Sequence, residues 1–208
     1  MSVLFAFPQY AGFAITHNMQ SVCALVRSLT TIGFAYDMTF GQDSAVHRNR
    51  TFLTQSFMES DYEMLMFIDS DIGFTTDDFY ALFALVASNH ADVAVGCYRL
   101  KQEGSKLAAH HDGRLVSLET LPKKPFEVEY AGTGFMLIHR RALEAIKPKL
   151  PIIDTIRGKI PRWWAFDLVD GVELPEDYSF CERVRGAGMR VVMDPSVILD
   201  HWGLACYN

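Results

Sequence analysis

The sequence lacks the features that mark several large classes of protein. Its four cysteines are widely separated, at Cys23, Cys97, Cys181 and Cys206, without the C-x-x-C spacing of a zinc ribbon or a redox pair. No run of lysines and arginines occurs and the formal net charge is -6, which argues against binding nucleic acid through its phosphates. No apolar stretch approaches the length of a membrane span, and the amino terminus has no signal-peptide pattern. We therefore expect reduced, buried thiols in a soluble cytoplasmic protein with no nucleic-acid partner and no membrane span.

The composition is that of a globular protein, with 50% hydrophobic and 21% charged residues among 208. This length provides for one sizeable core, so we expect a single domain over 1–208, while a piece of a longer polypeptide stays open. Strands are predicted at 3–8, 34–40, 64–68, 92–98, 135–138 and 189–195, and helices at 18–32, from about 50, at 76–88, at 140–146 and from about 175. Their alternation predicts an α/β fold with a mostly parallel central sheet flanked by helices.

The apolar segment 64–68 ends abruptly at two acids, Asp69 and Asp71. Side chains at alternate positions of an extended chain point the same way, so both carboxylates can address one divalent cation or polar ligand. The carboxyl end of a buried parallel strand is also where open α/β sheets bind ligands. An Asp-rich turn before the helix that begins near Thr76 explains the same residues. The residues alone leave both interpretations open.

Polar residues also surround the start of the second predicted helix. Asp43 lies a few residues before the segment Arg48-Asn49-Arg50. Basic and amide side chains at a helix start, beside the carboxyl end of a strand, suit an anion such as a diphosphate. A solvated helix face is the alternative, since arginine is common on protein surfaces.

Three later motifs each have a structural and a functional interpretation. Gly132-Thr133-Gly134 precedes a predicted strand, and its glycines allow either a close approach to a ligand or a tight turn. Glu176 and Asp177 open a predicted helix, where the dipole favours acids whatever the function. His201 follows the last apolar strand, and a histidine in that position is usually structural.

The segment 147–172 is rich in proline, glycine and tryptophan and has no clean period, which is typical of a functional loop or lid. Trp163 and Trp164 could stack on a sugar ring or a partner, or one of them could belong to the core. His110 and His111 resemble a metal cluster, but adjacent residues of a strand point to opposite faces. We therefore predict a surface strand or hairpin there.

Taken together, these stretches resemble the GT-A class of nucleotide-sugar glycosyltransferases. The matching pieces occur in family order along nearly the whole chain: an amino-terminal strand and loop, Arg48-Asn49, the strand that ends in Asp69-Ser70-Asp71, Gly132-Thr133-Gly134, Glu176-Asp177 and His201. The chain most resembles the small glycosyltransferases of phages and large DNA viruses, such as the capsid-glycosylating domains of algal viruses. This resemblance rests on the compact size and on the sequence Phe67-Ile68-Asp69-Ser70-Asp71-Ile72-Gly73-Phe74.

The resemblance implies a role for each motif. Asp69, Asp71 and His201 would hold Mn²⁺ or Mg²⁺, and the histidine nitrogen favours Mn²⁺ because Mg²⁺ prefers oxygen. The residues that would bind the nucleotide-sugar, by default a UDP-sugar, are Pro8, Gln9, Tyr10, Asp43, Arg48, Asp69, Ser70, Gly132 and Thr133. Asp177 would be the general base of an inverting transfer to a glycan or glycoprotein acceptor, with Glu176 orienting the substrates. The nucleotide part would cover about 1–100 and the acceptor part about 101–208.

Other functions use similar motifs. Phosphohydrolases place Asp-x-Asp on their first strand, whereas here it follows the third predicted strand, and Gly73 stands where they carry threonine or valine. A sugar nucleotidyltransferase would carry a basic, glycine-rich loop after the first strand, and Gln9-Tyr10-Ala11-Gly12 lacks the basic residues. The non-catalytic alternative is a carbohydrate-binding module of the same fold, which would bind a glycan without needing a nucleotide.

Overall fold

The computed structural model describes residues 1–9, 14–102, 104–156, 158–203 and, for the backbone alone, 206–207. The helices are α1 (Thr16–Thr31), α2 (Val46–Met58), α3 (Thr76–Ala87), α4 (Arg140–Ile146) and α5 (Glu176–Gly186). The first strands are β1 (Ser2–Gln9), β2 (Ala35–Gln42), β3 (Met64–Ile68), β4 (Ile72–Gly73), β5 (Val93–Cys97), β6 (Lys106–His111), β7 (Arg114–Ser117) and β8 (Phe126–Glu127). They are followed by β9 (Tyr130–Ala131), β10 (Phe135–His139), β11 (Ile152–Thr155), β12 (Gly158–Pro161), β13 (Asp167–Val169), β14 (Val172–Leu174), β15 (Val191–Ile198), β16 (Asp200–Trp202) and β17 (Cys206–Tyr207).

A seven-stranded sheet in the order β2-β1-β3-β10-β5-β15-β8 forms the centre of the fold. The strands β1, β2, β3, β5 and β15 run in one direction, and β10 and β8 run against them. The predicted α/β fold with a mostly parallel sheet is therefore confirmed. Because β10 is reversed, its first residue Phe135 pairs with the last residue of β3, Ile68. The segment before β10 and the segment after β3 thus meet at the same edge of the sheet.

The central strand β3 is buried along its whole length, as its apolar sequence predicts. Leu65 and Phe67 belong to one hydrophobic core, and Met64, Met66 and Ile68 belong to a second core on the opposite face. Burying each such side chain contributes roughly 1.5 to 3 kcal/mol. The strand therefore provides a rigid base for the loop that follows it.

The first helix exposes part of its apolar face, which helical spacing predicts to consist of Met19, Val22, Cys23, Val26 and Leu29. Met19 and Cys23 are exposed, and the buried residues are Asn18, Leu25 and Leu29. Asn18 begins the predicted helix, where an asparagine is a possible cap, but in the structure it lies inside α1 and hydrogen-bonds to the loop after β3. A polar side chain takes the buried position because that loop has carbonyl groups to satisfy. The third helix, predicted at 76–88, is confirmed, and Thr75 and Asp78 form a capping box before it.

Two segments expected to be irregular form strands: 147–172 and the segment 121–129, whose two prolines and two lysines predict a connecting loop. Within 121–129, β8 pairs with β15 at the edge of the central sheet. Within 147–172, β11 pairs with β12, and β13 pairs with β14 as a second hairpin. The predicted hairpin at the two histidines is confirmed by the pairing of β6 with β7.

Both tryptophans of the 147–172 segment are core residues, so the idea that either stacks on a sugar ring is wrong. Trp163 is 0% and Trp164 is 1% exposed. Each indole N–H has a partner on α2, since Trp163 donates to Gln55 Oε1 at 3.0 Å and Trp164 donates to Thr54 Oγ1 at 2.8 Å. Satisfied indole groups allow both rings to be buried without a desolvation penalty.

Within the described part of the chain, no helix has both the length and the apolar character needed to span a membrane.

Candidate active site

The loop Asp69-Ser70-Asp71 is held in place by hydrogen bonds to its backbone. The Asp69 N–H donates to the carbonyl of Gly134 at 2.9 Å, and the Trp202 N–H donates to the carbonyl of Asp71 at 2.9 Å. Asn18 Nδ2 donates to the carbonyls of Asp69, at 3.0 Å, and Ile72, at 2.8 Å. Segments from three distant parts of the chain therefore fix the two carboxylates before any ligand arrives, which reduces the cost of ordering a site.

A buried arginine joins this loop to the start of α5. Arg50 is 4% exposed, and its Nη2 donates to both carboxylate oxygens of Asp69, at 2.9 and 2.8 Å. Its Nη1 donates to Glu176 Oε1 at 2.7 Å. The guanidinium fork is suited to bridging two carboxylates. Arg50 is therefore the physical link between the two acidic motifs that the sequence presents separately.

The guanidinium group of Arg50 packs against a buried aromatic cluster. The Arg50 guanidinium carbon lies 5.9 Å from the centroid of the Trp164 ring. Trp164 in turn stacks on Phe180 at 4.2 Å and meets the edge of Phe67 at 5.4 Å, both measured between ring centroids. Because Phe180 belongs to α5 and Phe67 to β3, the same ring packs between the elements that carry Glu176 and Asp69. The buried tryptophan thus packs between the elements that carry the two acidic motifs.

The donor atoms at Asp71 fit a divalent cation. His201 Nδ1 lies 2.6 Å from the carbonyl of Arg99, so it carries the proton and donates it there. The lone pair of Nε2 is then free, and this nitrogen lies 3.8 Å from Asp71 Oδ2. A histidine oriented through its other nitrogen beside a carboxylate is the usual arrangement of a metal ligand. Asp69 is paired with Arg50 through both of its oxygens, whereas Asp71 is paired through Oδ2 alone, with Lys101, among the described residues.

A cavity of about 180 Å³ lies beside these acids. It is lined by Pro8, Gln9, Asp43, Ser44, Val46, Asn49, Asp69, Ser70 and Asp71. Of the residues expected to contact a nucleotide, Pro8, Gln9 and Asp43 therefore share one cavity with the acidic loop, whereas Arg48, Gly132 and Thr133 do not line it. Tyr10, also expected there, lies outside the described residues.

Arg48 is paired with Asp43 in the free protein. Its Nε and Nη2 donate to the two carboxylate oxygens of Asp43, each at 2.6 Å. This hydrogen-bonded pairing lowers the pKa of Asp43, whose Oδ1 also accepts from the N–H of Ala45. The pair borders a second cavity of about 720 Å³ that extends to β11 and Trp164. Arg48 is more than half exposed and can turn from Asp43 toward an anion.

The glycine turn before β10 packs against a buried tyrosine. Tyr98 is 8% exposed, and its phenol oxygen accepts from the N–H of Gly134 at 3.0 Å. A Cβ atom added at Gly132 would lie 2.1 Å from that oxygen. Thr133 is 1% exposed, and its hydroxyl has no partner among the described residues. The close approach that these glycines allow is therefore to Tyr98, while the roles of Gly132 and Thr133 toward a nucleotide stay predictions.

We expect Gly132→Ala to lower the free energy of unfolding by about 1 to 3 kcal/mol, because the new methyl group overlaps the buried Tyr98 ring. Denaturant titration measures this difference. Gly186→Ala is the control, since a Cβ added at Gly186 meets nothing within 4 Å. Equal stability of the two variants would show that the turn moves freely away from Tyr98.

The two acids at the start of α5 are in different environments. Glu176 is buried and paired with Arg50. Burial, together with the neighbouring charge of Glu176, raises the pKa of Asp177 to about 6, although the charge of Arg50 and the N–H of Tyr178 oppose this shift. A carboxylate with this pKa is ionised at pH 7 but is a stronger proton acceptor than an ordinary aspartate.

Sequence reasoning missed several residues of this site. Arg50 appeared only as part of a basic segment, and Asn18, Tyr98 and Lys101 were assigned no role in the site. For Arg50 a signal existed, because it lies one helical turn before the buried residues Leu53 and Thr54 on α2. A charged residue on the buried face of a helix requires a charged partner.

The mixed sheet and the acidic loop at its carboxyl edge define the GT-A class of fold. No family model matches the sequence, and no curated protein matches it. Among solved structures, A197 from STIV matches with a TM-score of 0.60 at 22% identity, over 98% of this chain and 86% of that one. GalNAc-T7, crystallised with UDP, GalNAc and Mn²⁺, matches with a TM-score of 0.58 at 9% identity, over 96% of this chain and 43% of that one.

A third match is a glycosyltransferase involved in glycosylation of the major capsid of PBCV-1, with a TM-score of 0.40 at 12% identity, over 69% of this chain and 63% of that one. A TM-score below 0.5 does not establish a shared fold. The first two matches show that this chain shares their fold, and for GalNAc-T7 this is the GT-A glycosyltransferase fold. The chain spans less than half the length of GalNAc-T7.

Proposed function

We propose that this chain is a metal-dependent glycosyltransferase that moves a sugar from a UDP-sugar to a glycan or glycoprotein acceptor. The observation that carries the proposal is the cavity that Pro8, Gln9 and Asp43 share with the Asp69-Ser70-Asp71 loop. A nucleoside in that cavity would bring its diphosphate to Asp71, where His201 Nε2 faces the carboxylate. The GT-A fold, and the UDP and Mn²⁺ present with GalNAc-T7, support the choice of donor and cation.

The proposed chemistry assigns one task to each group. A divalent cation held by Asp71 and His201, with Asp69 beside them, would neutralise the charge that develops on the departing nucleoside diphosphate. Arg48 and Ser70 would bind donor oxygens. Asp177 would take the proton of the acceptor hydroxyl as that oxygen attacks the anomeric carbon, which inverts its configuration. Glu176, held by Arg50, would orient the donor or the acceptor.

In the proposed function, residues 1–208 form one catalytic domain. The proposed site draws on both halves of the chain, because Arg50 bridges the carboxylates of Asp69 and Glu176. Nucleotide contacts would come mostly from 1–100 and acceptor contacts mostly from 101–208.

We expect the wild-type protein to bind UDP-sugars in the presence of Mn²⁺ and to lose this binding in EDTA. Asp71→Asn should weaken Mn²⁺-dependent binding at least about 100-fold, since even the loss of an outer-shell partner costs 10- to 100-fold. Isothermal titration calorimetry with UDP-, GDP-, CMP- and dTDP-sugars measures both effects. Asp61→Asn is the control, because Asp61 is exposed and lies before the opposite end of β3.

The outcomes separate the candidate functions. Metal-dependent binding of one nucleotide series that is lost in Asp71→Asn supports the transferase. Binding of a glycan without any nucleotide binding would replace it with a carbohydrate-binding module of the same fold. Release of diphosphate from a nucleoside triphosphate and a sugar phosphate would instead identify a nucleotidyltransferase.

A further inference from the structure

Lys101 forms an ion pair with Asp71, one of the residues proposed to bind a divalent cation. Lys101 Nζ donates to Asp71 Oδ2, the same oxygen that lies 3.8 Å from His201 Nε2. The ammonium therefore lies against the carboxylate where the proposed divalent cation would bind. Both side chains keep partial access to solvent, with 41% of Lys101 and 29% of Asp71 exposed.

Hydrogen bonds hold the backbone just before Lys101 in place. The carbonyl of Arg99 accepts from His201 Nδ1, and Arg99 forms a β-bridge with Leu107. The Leu100 N–H donates to the carbonyl of Lys106 at 3.1 Å. The same short segment thus orients the histidine ligand and carries the lysine. Four rotatable bonds allow the ammonium to move while its backbone stays in place.

We propose that Lys101 is a resident counter-cation of the metal site, which neutralises Asp71 in the free protein and moves to the nucleotide diphosphate when a divalent cation displaces it. This inference rests on the proposed function. An ammonium and a divalent cation repel each other strongly at the separation that one shared carboxylate oxygen imposes. The displaced ammonium needs a new anionic partner, and a diphosphate bound at the same cation is the nearest one that the proposed reaction supplies.

The proposal predicts opposite effects of Lys101→Met on two ligands. Mn²⁺ alone should bind about two- to fivefold more tightly, because a partly exposed ion pair of this strength no longer has to be broken. UDP in the presence of saturating Mn²⁺ should bind several-fold more weakly, because the ammonium is missing from the diphosphate. A purely structural role for Lys101 would not move the two affinities in opposite directions.

The experiment is calorimetric titration of the full chain with Mn²⁺ alone and then with UDP at saturating Mn²⁺. Lys106→Met is the matched control, since it removes an exposed positive charge from the strand that anchors the same segment. Lys101→Arg, which keeps a charge, should bind Mn²⁺ as the wild type does. Asp71→Asn in the Lys101→Met background should abolish the gain, which would locate the extra affinity at Asp71.

The inference and the proposed function fail in different ways. If wild type and Lys101→Met bind Mn²⁺ equally and Asp71→Asn abolishes binding in both, the counter-cation role is overturned and the transferase proposal stands. If UDP affinity is unchanged in Lys101→Met, movement of the ammonium to the diphosphate is overturned. If neither protein binds Mn²⁺ or UDP, both proposals are overturned.

Discussion

Asp177→Asn is expected to lower turnover about 10²- to 10⁴-fold, because this is the usual contribution of a general base, the role proposed for Asp177. The pKa of about 6 sets the pH dependence of the wild type. Its rate should fall as the pH drops through about 6, where the carboxylate takes up a proton before it can accept one from the acceptor. Initial rates with a UDP-sugar and an active acceptor between pH 5 and pH 8 measure both quantities.

The same substitution should make the protein more stable. The folded-state pKa of Asp177 lies above that of an unfolded aspartate, so the folded protein retains this proton between about pH 4 and pH 6 when the unfolded chain does not. The contribution of Asp177 to stability is therefore lost as the pH rises through about 6. Replacing it with a neutral amide should raise the free energy of unfolding at pH 7 by as much as about 2 to 3 kcal/mol.

Stability and activity together make this test specific. Glu144→Gln, which changes an exposed acid on α4, should alter neither quantity. Near-normal turnover of Asp177→Asn would show that another group is the base. Loss of turnover together with loss of stability would indicate damage to the fold, whereas loss of turnover with a gain in stability is the expected signature.

Arg50→Met is expected to lower the free energy of unfolding by about 3 to 5 kcal/mol, the cost of removing one partner from a buried ionic network. The substitution leaves the carboxylates of Asp69 and Glu176 without the cation that lies between them. It also removes a charge that lowers the pKa of Asp177, so this pKa should rise further. The loss of stability should therefore be larger at pH 8 than at pH 5, and the acid side of the rate profile should move to higher pH.

Denaturant unfolding at the two pH values measures this effect. Arg185→Met is the matched control, since Arg185 pairs with Glu182 on the exposed side of α5 and such a pair contributes at most about 1 kcal/mol. Arg50→Lys should recover only part of the loss, because one ammonium cannot reproduce the guanidinium fork. Wild-type stability of Arg50→Met at both pH values would mean that the two acidic motifs are positioned independently of each other.

The sequence predicts those parts of this molecule in which one segment determines its own structure. The apolar run before Asp69 identifies a buried strand, and the Thr75-Asp78 spacing identifies a helix cap. The end of a buried strand also locates the acidic loop. These features depend on local periodicity and capping, which need no knowledge of distant residues.

Other features depend on partners far away in the chain. Trp164 is buried because Thr54 offers its indole a partner 110 residues earlier. Lys101 reaches Asp71 only because β5 and β3 end at the same edge of the folded sheet, separated by β10 alone. Periodicity within one segment carries no information on such pairings, so these residues emerge only when the elements are assembled.

The position of β10 also has a consequence for synthesis of the chain. Until Phe135–His139 leaves the ribosome, β3 lacks its neighbour on one side, and β5 lacks the strand that joins it to β3. At 5 to 20 residues per second, that delay lasts roughly 4 to 14 seconds after Ile68 has left the ribosome. During this interval the nascent chain exposes an apolar strand with an unpaired edge. Such an edge can pair with another chain and cause aggregation. We therefore expect that a fragment ending near residue 100 depends on chaperones, and that the acidic loop is ordered only after the second half of the chain has been translated.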